Sequence, residues 1–130
     1  MVGVYPTDNP YYMSQSVSTD LKFCIGQMRM FYNTREIEST RNYKLLEDYE
    51  TSLKYWLEKK IIRFNNICLK ADFNKLAGGL KTTCNRDFHT KALEVDRFYQ
   101  QYKPYCFVSD RLTKTGRKID IRFKSKLVRK

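Results

Sequence analysis

The densest chemistry in the chain is cationic. Lys114, Arg117, Lys118, Arg122, Lys124, Lys126, Arg129 and Lys130 all fall between positions 114 and 130. Ammonium and guanidinium groups donate hydrogen bonds and accept none, so their natural partners are carboxylate and phosphate oxygens. A second set, Lys59, Arg63 and Lys70, is joined by Asn66 at steps of 4, 3 and 4, one face of a helix. Like charges at i, i+4 repel by a few tenths of a kcal/mol, and a bound anion would remove that repulsion. The helix dipole offers another reading, because Glu47, Asp48 and Glu50 precede these cations as a dipole favours. Both readings stand at this level.

Nucleophiles and metal ligands are sparse. The chain has one histidine, His89, and four cysteines, Cys24, Cys68, Cys84 and Cys106. Structural zinc sites usually bring their ligands in close pairs, and Cys68, Cys84, His89 and Cys106 are not so arranged. Cys84 and His89 would diverge on a helix, and nothing adjacent orients the imidazole as a base. Asp110, Asp120 and Glu94 form no recognisable metal-binding spacing. Ala77-Gly78-Gly79, with Lys75 and Lys81 nearby, marks a turn but matches neither common phosphate-loop pattern. The expectation is a non-enzymatic protein with no cofactor and no metal.

Charge and composition bound the rest. The 130 residues suffice for one core, and 42% hydrophobic content suits a globular chain. Net charge runs from −2 over residues 1–50 to +5 over 51–100 and +8 over 101–130, reaching +11. A basic end of this kind attracts polyanions; a solubilising tail is the plainer alternative. No apolar run approaches the roughly 18–20 residues of a membrane span. The first twelve residues lack the pattern of a secretion signal. An intracellular protein, or one inside a virus particle, is expected, with reduced thiols.

These groups need elements to hold them. Pro6, Pro10 and Gly3 make residues 1–15 an extended, aromatic N-terminal arm. Residues 16–130 then form a single basic domain. Ser18 or Thr19 caps a first helix over 18–35, whose apolar stripe is Leu21, Cys24, Ile25, Met28, Phe31 and Tyr32. Leu46, Tyr49, Leu53, Leu57, Ile61, Phe64 and Cys68 step by 3 or 4, which predicts one long helix over 41–70. Its second stripe, Tyr55, Ile62 and Leu69, requires another layer of the domain or a partner. Phe88, Ala92, Val95, Tyr99 and Tyr102 predict a third helix over 87–102, ended by Pro104. The period then falls to two. Ile119, Ile121 and Phe123 alternate with Asp120, Arg122 and Lys124, which predicts an antiparallel hairpin over about 105–128 with Thr113–Lys118 at its tip.

The expected fold is therefore α+β and mainly helical: three helices, the second one long, followed by a C-terminal antiparallel β-hairpin. In element order alone this resembles a winged helix-turn-helix domain. The resemblance implies that residues 87–102 enter the major groove and Thr113–Lys118 form the wing. Glu94 and Asp96 on the reading helix, and the length of the second helix, oppose that assignment. The expected function is nucleic-acid binding, DNA or RNA, through the phosphate backbone. One alternative is a small structural subunit of a virus particle or ribonucleoprotein. It would use the N-terminal arm and the Tyr55, Ile62 and Leu69 stripe for protein contacts or self-association. The other is an inhibitor or adaptor that binds an acidic protein surface. No membrane contact is expected.

Overall fold

A computed structural model describes residues 1–26, 28–31, 37, 42–69, 87–114 and 116–124. Among them are two helices and six strands in two sheets, so the class is α+β with helix and strand in balance. The expectation of a mainly helical, three-helix fold is corrected at its first two helices. The order of a winged helix-turn-helix domain goes with them.

The long helix expected over 41–70 is two elements. Helix α1 spans Glu47–Leu57, and a strand, β4, spans Ile62–Cys68. The backbone between them explains the break. Lys60 N–H donates to the Tyr55 carbonyl and Lys59 N–H to the Trp56 carbonyl, both at 2.9 Å. This reciprocal pair closes a helix end when the residue past the cap is left-handed. Lys59 is that residue, with φ 56°. The apolar steps misled because Ile61 and Phe64 also suit a strand. Along β4 the buried positions beyond Ile61 are polar, Arg63 and Asn65, while Ile62 faces out.

The first helix expected over 18–35 is also absent among the described residues. Val17–Ser18 and Arg29–Met30 are short strands, β2 and β3. Between them the chain lies along α1 and bonds to its side chains. Cys24 N–H donates to Ser52 Oγ and Gly26 N–H to Asp48 Oδ2, each at 3.0 Å, while Arg29 pairs with Asp48 at 2.9 Å. Leu21 and Cys24 are buried as the apolar stripe required, but irregular backbone carries them there.

The residues expected as an N-terminal arm contain β1, Val2–Tyr5, which sits inside the chain's own sheet. The order is β2-β4-β1-β3. β1 runs parallel to β4, and the outer strands β2 and β3 run antiparallel to β4 and β1. Gly3 is obligatory, since a Cβ there would lie 2.7 Å from the Cβ and Sγ of Cys24. Tyr11 and Tyr12 follow in a 3-10 turn, exposed and packed edge to face at 5.0 Å.

The third predicted helix is present as α2, Phe88–Tyr102, with Asp87 capping it through a 2.6 Å bond from Thr90 N–H. The hairpin is present as β5, Cys106–Thr113, and β6, Gly116–Phe123. It is tighter than expected. Thr113 pairs with Gly116, so Arg117 and Lys118 lie in β6 and not in the turn. Gly116 has φ +118°, a conformation that disfavours side chains.

One core joins these pieces. Leu46, Leu53 and Trp56 from the α1 region meet Val95 and Phe98 of α2 and Cys106 and Ile121 of the hairpin. Aromatic rings bind the layers, with Tyr43 and Phe98 at 5.2 Å and Tyr49 and Phe123 at 5.6 Å. Glu50, buried on α1, accepts from the Tyr102 hydroxyl at 2.9 Å and pairs with Lys54 at 3.2 Å. Both carboxylate oxygens of Glu94 accept backbone N–H groups just before α1, from Lys44 and Leu45 at 3.0 and 2.8 Å. Glu94 therefore fastens α2 to the start of α1. Among the described residues no helix is long and apolar enough to cross a membrane.

Two predictions follow from this architecture. Lys59→Gly relieves the left-handed backbone, so the urea midpoint rises, with a gain of about 0.5–1 kcal/mol. A lowered midpoint would mean that position 59 does not need a positive φ. The second concerns alkali. Burial pushes the Cys24 thiol from 9.0 up to about 11, and burial also raises the Tyr49 and Tyr102 hydroxyls. Each group stays protonated in the fold at a pH where the unfolded chain ionises. The stability it contributes is complete below its unfolded value and is lost as pH rises through the folded one. Urea midpoints should fall from about pH 9 upward. In Cys24→Ala the fall should begin about one unit later, where the phenols take over.

Candidate nucleic-acid interface

The hairpin register sorts its side chains into two faces. Residues opposite one another share a face, and neighbours along a strand alternate. Cys106, Val108, Asp110 and Leu112 face the same way as their partners Phe123, Ile121, Ile119 and Arg117. This face turns onto α2, where Ile121 and Cys106 join Val95 and Phe98 in the core. The other face carries Phe107 opposite Arg122, Ser109 opposite Asp120, and Arg111 opposite Lys118.

The two faces treat charge differently. On the inner face Arg117 is neutralised. Its Nη2 donates to Asp110 Oδ2 at 2.6 Å and its Nε to Oδ1 at 3.1 Å, while the guanidinium lies 5.4 Å from the centre of the Phe88 ring. Those bonds hold the Asp110 carboxyl below its ordinary range. On the outer face Arg111 and Lys118 are directly opposite and both exposed. Like charges so placed destabilise a sheet. Among the described residues no carboxylate is ion-paired with Arg111, Lys118 or Arg122. Asp120, the acid on their face, is engaged elsewhere. Its Oδ1 takes Lys91 Nζ at 3.3 Å, the Tyr49 hydroxyl at 3.4 Å and the Ile121 N–H at 3.1 Å.

The outer face therefore presents the Arg111–Lys118 pair toward the tip and Arg122 toward the base, where it stands opposite an exposed ring, Phe107, which is 43% accessible. Lys114 extends the charge to the tip of the hairpin, and Lys124 to its base. Lys124 Nζ donates to the Lys103 carbonyl at 3.0 Å, a neutral acceptor that leaves its charge uncancelled. From Lys118 to Arg122 the strand advances about 13 Å. Such a surface can take one phosphate between Arg111 and Lys118 and another at Arg122, on either side of Asp120, and stack one base or ring on Phe107.

Of the residues that sequence reasoning singled out, Lys114, Lys118, Arg122 and Lys124 come together on this hairpin. Arg117 belongs to the opposite face. Lys59, exposed in the turn after α1, and Arg63, buried at 8% accessibility in β4, share no helix face. Lys70, Lys126, Arg129 and Lys130 lie outside the described residues, as do Cys84 and the Ala77-Gly78-Gly79 turn. The Tyr55, Ile62 and Leu69 stripe does not form, because Tyr55 is in the core and Ile62 and Leu69 lie in or beyond β4. Arg111 and Phe107 were missed. Counting back from the predicted inner residues Ile119 and Ile121 across a two-residue turn would have placed both on the cationic face.

Among the described residues no three side chains cluster as metal ligands, and Cys24, Cys68 and Cys106 are free thiols. No protein-family model, curated protein or solved structure matches the chain.

Proposed function

We propose that this protein binds nucleic acid, without catalysis, through the outer face of the β5–β6 hairpin. One observation carries the reading: Arg111 and Lys118 stand opposite each other with no acid between them, while the acid on their face, Asp120, is held by Tyr49 and Lys91. That pair adds nothing to the hairpin's own stability. A phosphate between the two cations turns their repulsion into two charge-assisted hydrogen bonds. Arg122 supplies a further phosphate contact, and Phe107 beside it offers a stacking surface for an unpaired base. Contacts of this kind confer affinity and carry no base sequence. An acidic protein surface could meet the same cations, but it has less use for an exposed ring opposite Arg122.

The test is binding of nuclease-treated protein to labelled single- and double-stranded DNA and RNA across about 50–300 mM salt. In the triple variant Arg111→Ala, Lys118→Ala, Arg122→Ala, affinity should fall and the slope of log K against log salt should become shallower by about 2–3. Arg117→Ala, on the neutralised face, should leave the slope unchanged. Phe107→Ala should weaken single strands by about tenfold or more and duplexes little. If no polymer binds at the lowest salt, or Arg117→Ala is as damaging as the triple variant, the reading is wrong.

A further inference from the structure

A second site lies on the other sheet and has no part in the hairpin surface. Where β1 meets β4 the register slips: Val4 pairs with Phe64, but Tyr5 pairs with Cys68. The extra residues of β4 bulge toward β2 and are held there. Asn65 N–H donates to the Ser16 carbonyl at 3.0 Å, and Asn65 Nδ2 to Ser16 Oγ at 3.0 Å. The slip leaves a cleft of about 460 Å³, within the size range of small-molecule sites. Its lining is nearly all polar and includes Ser16, Ser18, Thr19, Tyr12, Lys22 and the carboxylate Asp20.

Arg63 lies in the wall of this cleft and is more than nine-tenths buried. Its Nε donates to Asn65 Oδ1 at 2.9 Å and its Nη1 to the Phe23 carbonyl at 3.1 Å. The guanidinium lies 4.9 Å from the centre of the Tyr5 ring. Every one of these partners is neutral. Among the described residues no carboxylate is paired with Arg63, and no acceptor faces its Nη2. A buried cation without a counter-ion is among the most unfavourable arrangements in a protein. Here two neutral acceptors and a ring fix the planar fork in one orientation and leave N–H donors over. Such a fork matches two oxygens of a phosphate.

The structure assigns this cleft, we infer, to a small phosphorylated molecule that also bears hydroxyl groups. Arg63 and Lys22 would take the phosphate. The serine and threonine hydroxyls and Asp20 would take the hydroxyls of the ligand body, and the Asp20 carboxylate would repel a second anionic group. Tyr12, exposed at the rim, would cover a sugar or a base. A sugar phosphate and a nucleoside monophosphate share this chemistry.

The experiment uses the full chain and follows the Arg63 Nε–H signal by nitrogen-15 NMR, together with thermal stability. The probes are inorganic phosphate, ribose 5-phosphate and adenosine monophosphate, with ribose and adenosine as uncharged controls. Ribose 5-phosphate or adenosine monophosphate should shift the Arg63 signal saturably below about 10 mM and raise the melting temperature. The uncharged controls should do neither. The tighter of the two organic phosphates identifies the ligand body. Thr19→Trp, at the exposed rim, and Lys22→Gln should each weaken binding about tenfold, and Arg63→Lys, which keeps charge but loses the fork, at least as much. If Arg63→Lys does not fold, the first two variants decide. The hairpin triple variant should bind these small molecules as the parent does. The inference is overturned if no probe moves the Arg63 signal, if inorganic phosphate binds as tightly as both organic phosphates, if Thr19→Trp and Lys22→Gln bind normally, or if the hairpin variant loses the response.

Discussion

Two backbone hydrogen bonds at the end of α1, from Lys59 to Trp56 and from Lys60 to Tyr55, set the direction of everything that follows them. They stop a helix whose apolar period would allow it to continue, and they turn the chain into β4. β4 is the strand that touches both β1 and β2, so the four-stranded sheet exists only because the helix ends there. Arg63 then falls on the buried side of a strand and not on the exposed side of a helix. The Met1 amino group closes the same corner by donating to the Lys60 carbonyl. A left-handed lysine is thus the hinge between the helical half of the core and the sheet with the polar cleft.

Charge is managed locally, pair by pair. Opposite charges are matched at the surface, as Arg117 is by Asp110, and in the core, as Glu50 is by Lys54 and Tyr102. Arg29 and Asp48 do the same beside α1. Against that background two exceptions stand out, the Arg111–Lys118 pair and Arg63. The first is solvated and repels itself weakly. The second is desolvated, which lowers its affinity for the proton that makes it a cation. A shared phosphate chemistry would resolve both, by different geometry: a cation pair on an open face, and one oriented fork in a cleft.

The second half of the chain was far more legible than the first. α2 and the hairpin follow local rules, because one alternates by 3.6 and the other by 2, and Asp87 and Gly116 punctuate them. The hairpin strands could therefore be placed, with the turn drawn too wide, Arg117 assigned to the tip and Arg111 overlooked. β4 was hidden because its buried face is polar beyond Ile61; a strand whose inner residues are Arg63 and Asn65 does not show hydrophobic alternation. The segment after β2 was hidden for a different reason. Its buried Leu21 and Cys24 are three apart, as on a helix, yet their positions are set by bonds to Ser52 and Asp48, more than twenty residues away. The cleft was invisible for the same cause, since its walls come from β1, β2 and β4. Only tertiary pairing brings them together.

The parallel pairing of Val2 with Ile62 has a temporal side. About sixty residues separate partners that must lie side by side, and a loop that long contributes little local guidance to its own closure. At about 5–20 residues per second, β1 is made roughly 3–12 s before β4 is available to it. For that interval a strand of Val-Gly-Val-Tyr, built to be covered on both edges, lacks β4, and until Arg29 and Met30 are made it lacks β3 as well. α2 and the hairpin, made after β4, can form from contacts close in sequence. The part of the molecule that carries the cations is thus suited to take shape quickly, and the part that carries the cleft must wait for its last strand.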